Sequence, residues 1–400
     1  MSGRAQRALV LSSLAAGLLG VGAIVVAARV RQAGNPDALI AQAKQAIQAG
    51  QWVRAGSLLD RLAALRKPTA ADALLRAEAK NGGGRTDEAV AILTGVPAAD
   101  PLAAQARLRA GQVERERHRL RDAEVAFLDA IRLDPHLIQA RRELIFLYGM
   151  QARRAELSEQ FRALAGFVEL TFDDLFFWTT SHQDVWINTA IQPDLERYLA
   201  ADPADRWSRL ALAQVLLKSG QLDEAERVLR PLPSSDAEAM AVRAQIALDR
   251  SRRDEAQAIL EAAPAEHPAL ALVRGQCAMR QNDWPTAVTQ LRIAVRLEPC
   301  SQEAVRSLAL ALRQTGNTSE ETAFLEQAGR LRTLTGLIER ARETAARKDR
   351  TLPRRLAAAC EAVGLRDLAL GWYRLAIRYD VLDSEAQRGV FRLTRPAHGT

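Results

Sequence analysis

The stretch GQLDEAERVLRPLP (220–233) sets Gly220, Leu222, Ala225 and Leu229 at steps of two, three and four before prolines at 231 and 233. If small and apolar residues recur in this order at a fixed period, the chain is an array of copies whose function lies on a surface rather than in one pocket. The order does recur. GQWVRAGSLL carries Gly50, Trp52, Ala55 and Leu59 at the same offsets, and GRTDEAVAIL carries Gly84, Thr86, Ala89 and Leu93. HRLRDAEVAFLDAIRLDP continues with His118, Leu120, Ala123, Phe127, Ala130 and Pro135, each of these copies lying 34 residues after the last. Farther on, RQNDWPTAVTQLRIAVRLEP supplies Trp284, Ala287, Leu291, Ala294 and Pro299, and VGLRDLALGWYRLAI supplies Gly364, Ala369, Tyr373 and Ala376.

A small residue also stands eight places into most copies: Ala43, Ala77, Gly111, Ala213, Ala244, Gly275 and Ala309. Small side chains suit the closest approach of two helices, with Leu, Phe or Tyr filling the groove beside them. Proline suits the boundary where one helix ends and the next begins. Together these positions resemble the tetratricopeptide repeat family, in its membrane-anchored bacterial form. The resemblance implies an all-α fold, a right-handed superhelical solenoid of stacked helix-turn-helix repeats; an uncharged N-terminal run, read separately below, is expected to add one transmembrane helix ahead of it.

Laid along the chain, the frame gives a tail and membrane segment at 1–35 and nine repeats over 36–335. A charged extra helix is expected at 336–349, a last repeat with a capping helix at 350–393 and a frayed tail at 394–400. The repeats at 206–236 and 237–267 are shortened. Those within 138–205 and 302–335 are degenerate, with Leu157 where alanine is expected, Pro193 inside a second helix and Glu321 in the small position.

Composition agrees with an all-helical chain: Ala, Leu, Arg, Glu and Gln dominate and aromatic residues make up only 5%. The net charge is +7, but 48 acidic residues nearly balance 55 basic ones, so the charge reads as solvated helix faces and no nucleic-acid partner is expected. Cys277, Cys300 and Cys360 are far apart, with no CxxC pair and no histidine at ligand spacing, so no disulfide framework, metal or cofactor is expected. No GxSxG, Walker loop, GxGxxG or HExxH occurs, and the chain reads as a non-enzyme.

Ala8 to Ala28 (ALVLSSLAAGLLGVGAIVVAA) carries no charge and is long enough as a helix to cross roughly 30 Å of hydrocarbon. An uncleaved signal-anchor is preferred over a cleaved signal peptide because the apolar run exceeds an ordinary signal core. Arg4 and Arg7 before the span nearly cancel Arg29 and Arg31 after it. The repeats are placed on the exported, periplasmic face, the alternatives being the cytoplasmic face or secretion after cleavage.

In tetratricopeptide repeats the second, fifth, ninth, twelfth and thirteenth positions of each repeat, all on its first helix, face the concave groove, so the resemblance nominates partner-binding residues. They are Gln105, Leu108, Gln112 and Arg115; Gln139, Arg142, Phe146 and Met150; Trp207, Leu210, Gln214 and Lys218; Gln276, Met279 and Arg280; and Arg306, Leu310 and Arg313. This mixture suits an extended peptide or a helix from a protein partner. A carboxylate clamp is not expected, because Ile40, Lys44, Leu74 and Glu78 occupy its positions.

FVELTFDDLFFWTTSHQDVW (167–186) concentrates aromatic residues in a chain otherwise poor in them. Filling of space left by missing small residues is preferred over an interface hot spot. Asp173, Asp174, His182 and Asp184 raise a metal or acid-base site, against which Thr171 and Asp174 read as a helix cap and His182 as a surface residue. The functional expectation is a membrane-tethered scaffold or adaptor at a bacterial cell envelope. The alternative is an accessory subunit, or an assembly or quality-control factor, for a separately encoded envelope enzyme.

Overall fold

The computed structural model describes residues 35–183, 189–343 and 346–395 as 21 α-helices and two 3-10 turns. The expected membrane span at 8–28 lies outside the described residues, and so does 396–400. Among the described residues no helix is long and apolar enough to cross a membrane.

The chain divides into two compact units, the first running to Arg117 with Arg121–Ala140 and the second holding His118–Leu120 and everything from Arg141. The first contains α1 (Pro36–Gln48), α2 (Trp52–Leu65), α3 (Ala70–Gly82), α4 (Thr86–Thr94), α5 (Ala103–Glu116) and nearly all of α6 (Leu120–Leu133). Next, α7 (Ile138–Met150) spans the division. The second unit continues with α8 (Arg154–Ala165), α9 (Phe172–Ser181), α10 (Gln192–Ala201), α11 (Arg206–Lys218), α12 (Leu222–Leu229), α13 (Ala237–Asp249) and α14 (Arg253–Ala262). It ends with α15 (Pro268–Arg280), α16 (Trp284–Leu297), α17 (Gln302–Gln314), α18 (Thr318–Arg342), α19 (Leu352–Ala362), α20 (Arg366–Tyr379) and α21 (Ser384–Thr394).

Each unit is a helical repeat solenoid built from packed pairs such as α1 with α2, α3 with α4, α13 with α14 and α15 with α16. First helices also touch the next first helix: α1 meets α3 and α3 meets α5, while α11, α13, α15 and α17 follow one another. The turn inside eight of the described pairs passes through one left-handed residue, at Gly50, Gly84, His118 and Ala152 and then at Gly220, Ser251, Asn282 and Gly316. These positions keep the 34-residue period except at Ser251 and Asn282, where the shortened repeats bring it to 31. Glycine adopts this conformation without penalty, whereas the non-glycine members hold it against a cost of about 1 kcal/mol.

Packing explains the small residues. Ala43, Ala77, Ala213, Ala244 and Ala309 are buried, and a Cβ on Gly111 or Gly275 would stand 2.5 Å from the ring of Phe127 or from Leu291 Cγ. Helix starts are capped by side chains, as when Asn35, Asp236, Ser301 and Asp383 accept from backbone amides of the first turn. Several arginines close helix ends. Arg107 donates to the carbonyls of Leu93 and Val96, Arg243 to those of Leu229 and Leu232, and Arg274 to those of Leu260 and Ala263.

The degenerate repeats differ from the frame. Pro193 stands in the first turn of α10, where its missing amide costs nothing, rather than inside that helix. Glu321 is buried in the small position and pairs with Arg313 at 2.7 Å. The expected boundary at 335/336 falls inside α18, a single 25-residue helix, and the 3-10 turn Ala346–Lys348 precedes α19.

The aromatic-rich stretch forms α9, which packs on α8 and also on α18 and α20, far later in the chain. Trp178 stacks on Phe161 at 5.4 Å and donates to Ser158 Oγ at 3.1 Å. Trp372 donates to Thr179 Oγ1 at 2.8 Å and meets Phe172 edge-on at 5.1 Å. Gly371 leaves the space that Leu175 fills. The rings of α9 are therefore largely core of the second unit, while Phe167 is exposed and Trp186 lies outside the described residues.

Candidate partner-binding face

Counting from the start of each repeat, positions two, five and nine fall on one face of every first helix, and in both compact units that face opens into a cleft. In the first unit, α3 offers Leu74 and Glu78, and α5 offers Gln105, Leu108, Arg109 and Gln112, around a cleft of about 230 Å³. In the second, α11, α13 and α15 frame a cleft of about 200 Å³. Its floor is Leu217, Ala241, Val242, Leu272 and Val273, with Gln214, Glu238, Gln245 and His267 at the rim.

Each rim group has a defined state. Glu238 pairs with Arg206 at 2.5 Å. His267 caps α15 by accepting from Leu270 N at 3.3 Å, and burial pushes its pKa below the ordinary value, leaving it neutral at pH 7. Gln245 Nε2 donates to Asp249 Oδ1 at 2.9 Å. An apolar floor bordered by these polar side chains suits a peptide that inserts a hydrophobic side chain.

The nominated residues divide between open positions and structural ones. Gln105 is exposed in the first unit, Gln112 accepts from Arg109 at 3.3 Å and Arg115 is half-buried beside them. Gln214 borders the second cleft. Phe146 is 41% exposed and Lys218 is exposed at the end of α11. Arg142 instead forks onto Asp174 at 2.7 and 3.2 Å, holding the start of α9. The Trp207 ring meets the guanidinium groups of Arg153 at 4.6 Å and of Arg206 at 4.2 Å. Gln276 donates to Glu303 at 2.6 Å and Arg306 to Gln302 at 2.7 Å, while Arg280 reaches the Leu248 carbonyl and Arg313 is held by Glu321.

Sequence reasoning passed over Glu238, Ala241, Gln245, Ala269 and Leu272, although the same register applied to the repeats at 237 and 268 selects all of them. Among the described residues, the acidic and histidine side chains near α9 are engaged elsewhere rather than grouped around one point. Asp173 pairs with Arg347 at 2.9 Å, Asp184 lies outside the described residues, and among the described residues no group of three or more such side chains could hold an ion. Thr171 and Asp174 form the expected capping box. His182 is not a surface residue: it is half-buried, 3.4 Å from Ser158 Oγ, because α9 folds back on α8. Burial, with Arg154 and Arg162 nearby, pushes its pKa down to about 4.

Stacked helix pairs with clefts on their first-helix face define an all-α helical repeat protein. Tetratricopeptide repeat family models match residues 74–137, 189–246 and 272–332, and those stretches are similar to tetratricopeptide repeats. No curated protein matches the chain in sequence. Among solved structures, the chain is similar to the APC/C hetero-tetramer Cut9–Hcn1, with 12% identity over 90% of this chain and 91% of that one and a TM-score of 0.39. It is also similar to a tetratricopeptide repeat protein from Parabacteroides merdae, with 16% identity over 69% and 98% of the two chains and a TM-score of 0.32. The P58(IPK) tetratricopeptide domain gives 16% identity over 90% and 97%, with a TM-score of 0.27.

Proposed function

We propose that this chain is a scaffold tethered to a cell-envelope membrane by residues 8–28, and that it binds another protein through its first-helix face, centred on the α11–α13–α15 cleft. The observation that carries the reading is the recurrence of one register: positions two, five and nine line a cleft in each compact unit. The uncharged run at 8–28 supports the tether.

Replacing Gln214 and Ala269 with arginine together crowds the cleft from its rim without touching a buried side chain. The double variant is expected to lose its partner on co-purification from native membranes while keeping its circular dichroism spectrum. Undiminished recovery of the partner counts against this face. Removing residues 1–35 is expected to move the protein from the carbonate-washed membrane pellet to the supernatant, and retention in the pellet contradicts the tether.

A further inference from the structure

A larger cleft lies away from the first-helix face, within the second compact unit, where the end of α8 and the loop after it face α20. It has a volume of about 500 Å³, in the range of small-molecule sites. Its floor and walls are mostly apolar: Ala165, Phe167, Val168 and Leu170 from the α8 side, Leu370 and Leu375 from α20, and Trp178 at the base, only 2% exposed.

The polar groups of this cleft converge unequally. Arg162 pairs with Asp367 at 2.9 Å and Arg378 pairs with Glu169 at 2.9 Å, so both lining carboxylates are already neutralised across the mouth. Arg374 stands between these bridges on the same face of α20 and is exposed, with no hydrogen bond or ion pair among the described residues. An aromatic and aliphatic pocket with one uncommitted guanidinium at its rim is complementary to an apolar body ending in a single negative charge.

We infer that the α8–α20 cleft is a binding site for a small apolar anion, of the class of an aryl sulfonate or a medium-chain carboxylate, with Arg374 meeting the charge and the Trp178–Leu370 surface taking the apolar part. This site is separate from the face proposed for the protein partner.

The full-length protein can be titrated with 1-anilinonaphthalene-8-sulfonate and, separately, with the uncharged N-phenyl-1-naphthylamine, reading dye fluorescence. Arg374→Glu is expected to weaken the sulfonate roughly fivefold, as the loss and reversal of one partly screened charge contact would, and to leave the neutral dye unchanged. Arg332→Glu makes the same change in net charge on exposed α18 and is expected to alter neither dye. Ala165→Trp fills the cleft and is expected to abolish the binding of both, and dodecanoate is expected to displace the sulfonate from the unmodified protein. Equal weakening by Arg374→Glu and Arg332→Glu overturns the inference, as does sulfonate binding that survives Ala165→Trp in a protein of unchanged circular dichroism.

Discussion

Two glycines in the second compact unit predict opposite effects of the same substitution. A Cβ on Gly275 would sit 2.5 Å from Leu291 Cγ, a branch atom close to its own backbone that cannot swing clear, so Gly275→Ala is expected to cost about 1–3 kcal/mol. Gly329, inside α18, has nothing within 4 Å of that position, and Gly329→Ala is expected to gain about 0.5–1 kcal/mol by removing backbone freedom from the unfolded chain. Urea midpoints of the two variants check both signs, and a shift in one common direction contradicts the packing register. The role of Gly275 was legible because it shares the eighth place with Ala43 and Ala77. The turns at Ser251 and Asn282 were legible only as spacing, since both residues hold the left-handed conformation without being glycine.

At the scale of an element, α9 is where local pattern gave least. Its capping box could be read from Thr171 and Asp174, but its partners could not: Trp372, Arg347 and α18 lie far along the chain, and no periodic pattern encodes a contact across that separation. Hence Arg142 read as a groove residue and His182 as exposed, although the folding-back of α9 gives each a fixed structural place.

That burial sets a pH dependence. The folded pKa of His182 is about 4, below the ordinary value of about 6.5, so on acidification the unfolded chain takes up a proton that the fold refuses. The contribution is fully present above pH 6.5 and is lost as pH falls toward 4. Burial raises the pKa of Asp174, but hydrogen bonds from Arg142 and Thr171 outweigh it and hold the carboxyl below the usual carboxylate range. Its contribution is therefore kept above the unfolded carboxylate pKa and lost only as pH falls through the lower folded value. Urea midpoints between pH 7.5 and 4.5 are expected to fall less steeply in His182→Gln than in the unmodified protein. Parallel slopes mean that His182 is as well solvated in the fold as in the unfolded chain.

For the whole molecule, the 34-residue spacing made the helical repeat architecture readable, because close helix contacts demand small side chains at fixed intervals. It did not reveal that α18 runs unbroken through an expected boundary, since the charged stretch after 335 is equally compatible with a new helix or a longer one. Of the site, the register was legible and the state of its members was not: Arg280, Arg306 and Arg313 each have an intramolecular partner that only the fold supplies.

The central claim is that partners meet the first-helix face of the stacked repeats. It is tested most directly by placing a photo-activatable phenylalanine analogue at Gln245, on the rim of the α11–α13–α15 cleft, or at Arg227 on the second helix α12, and irradiating native membranes. One cross-linked protein captured from Gln245 and absent from Arg227 is the predicted result. Capture from Arg227 alone, or equal capture from both, contradicts the account.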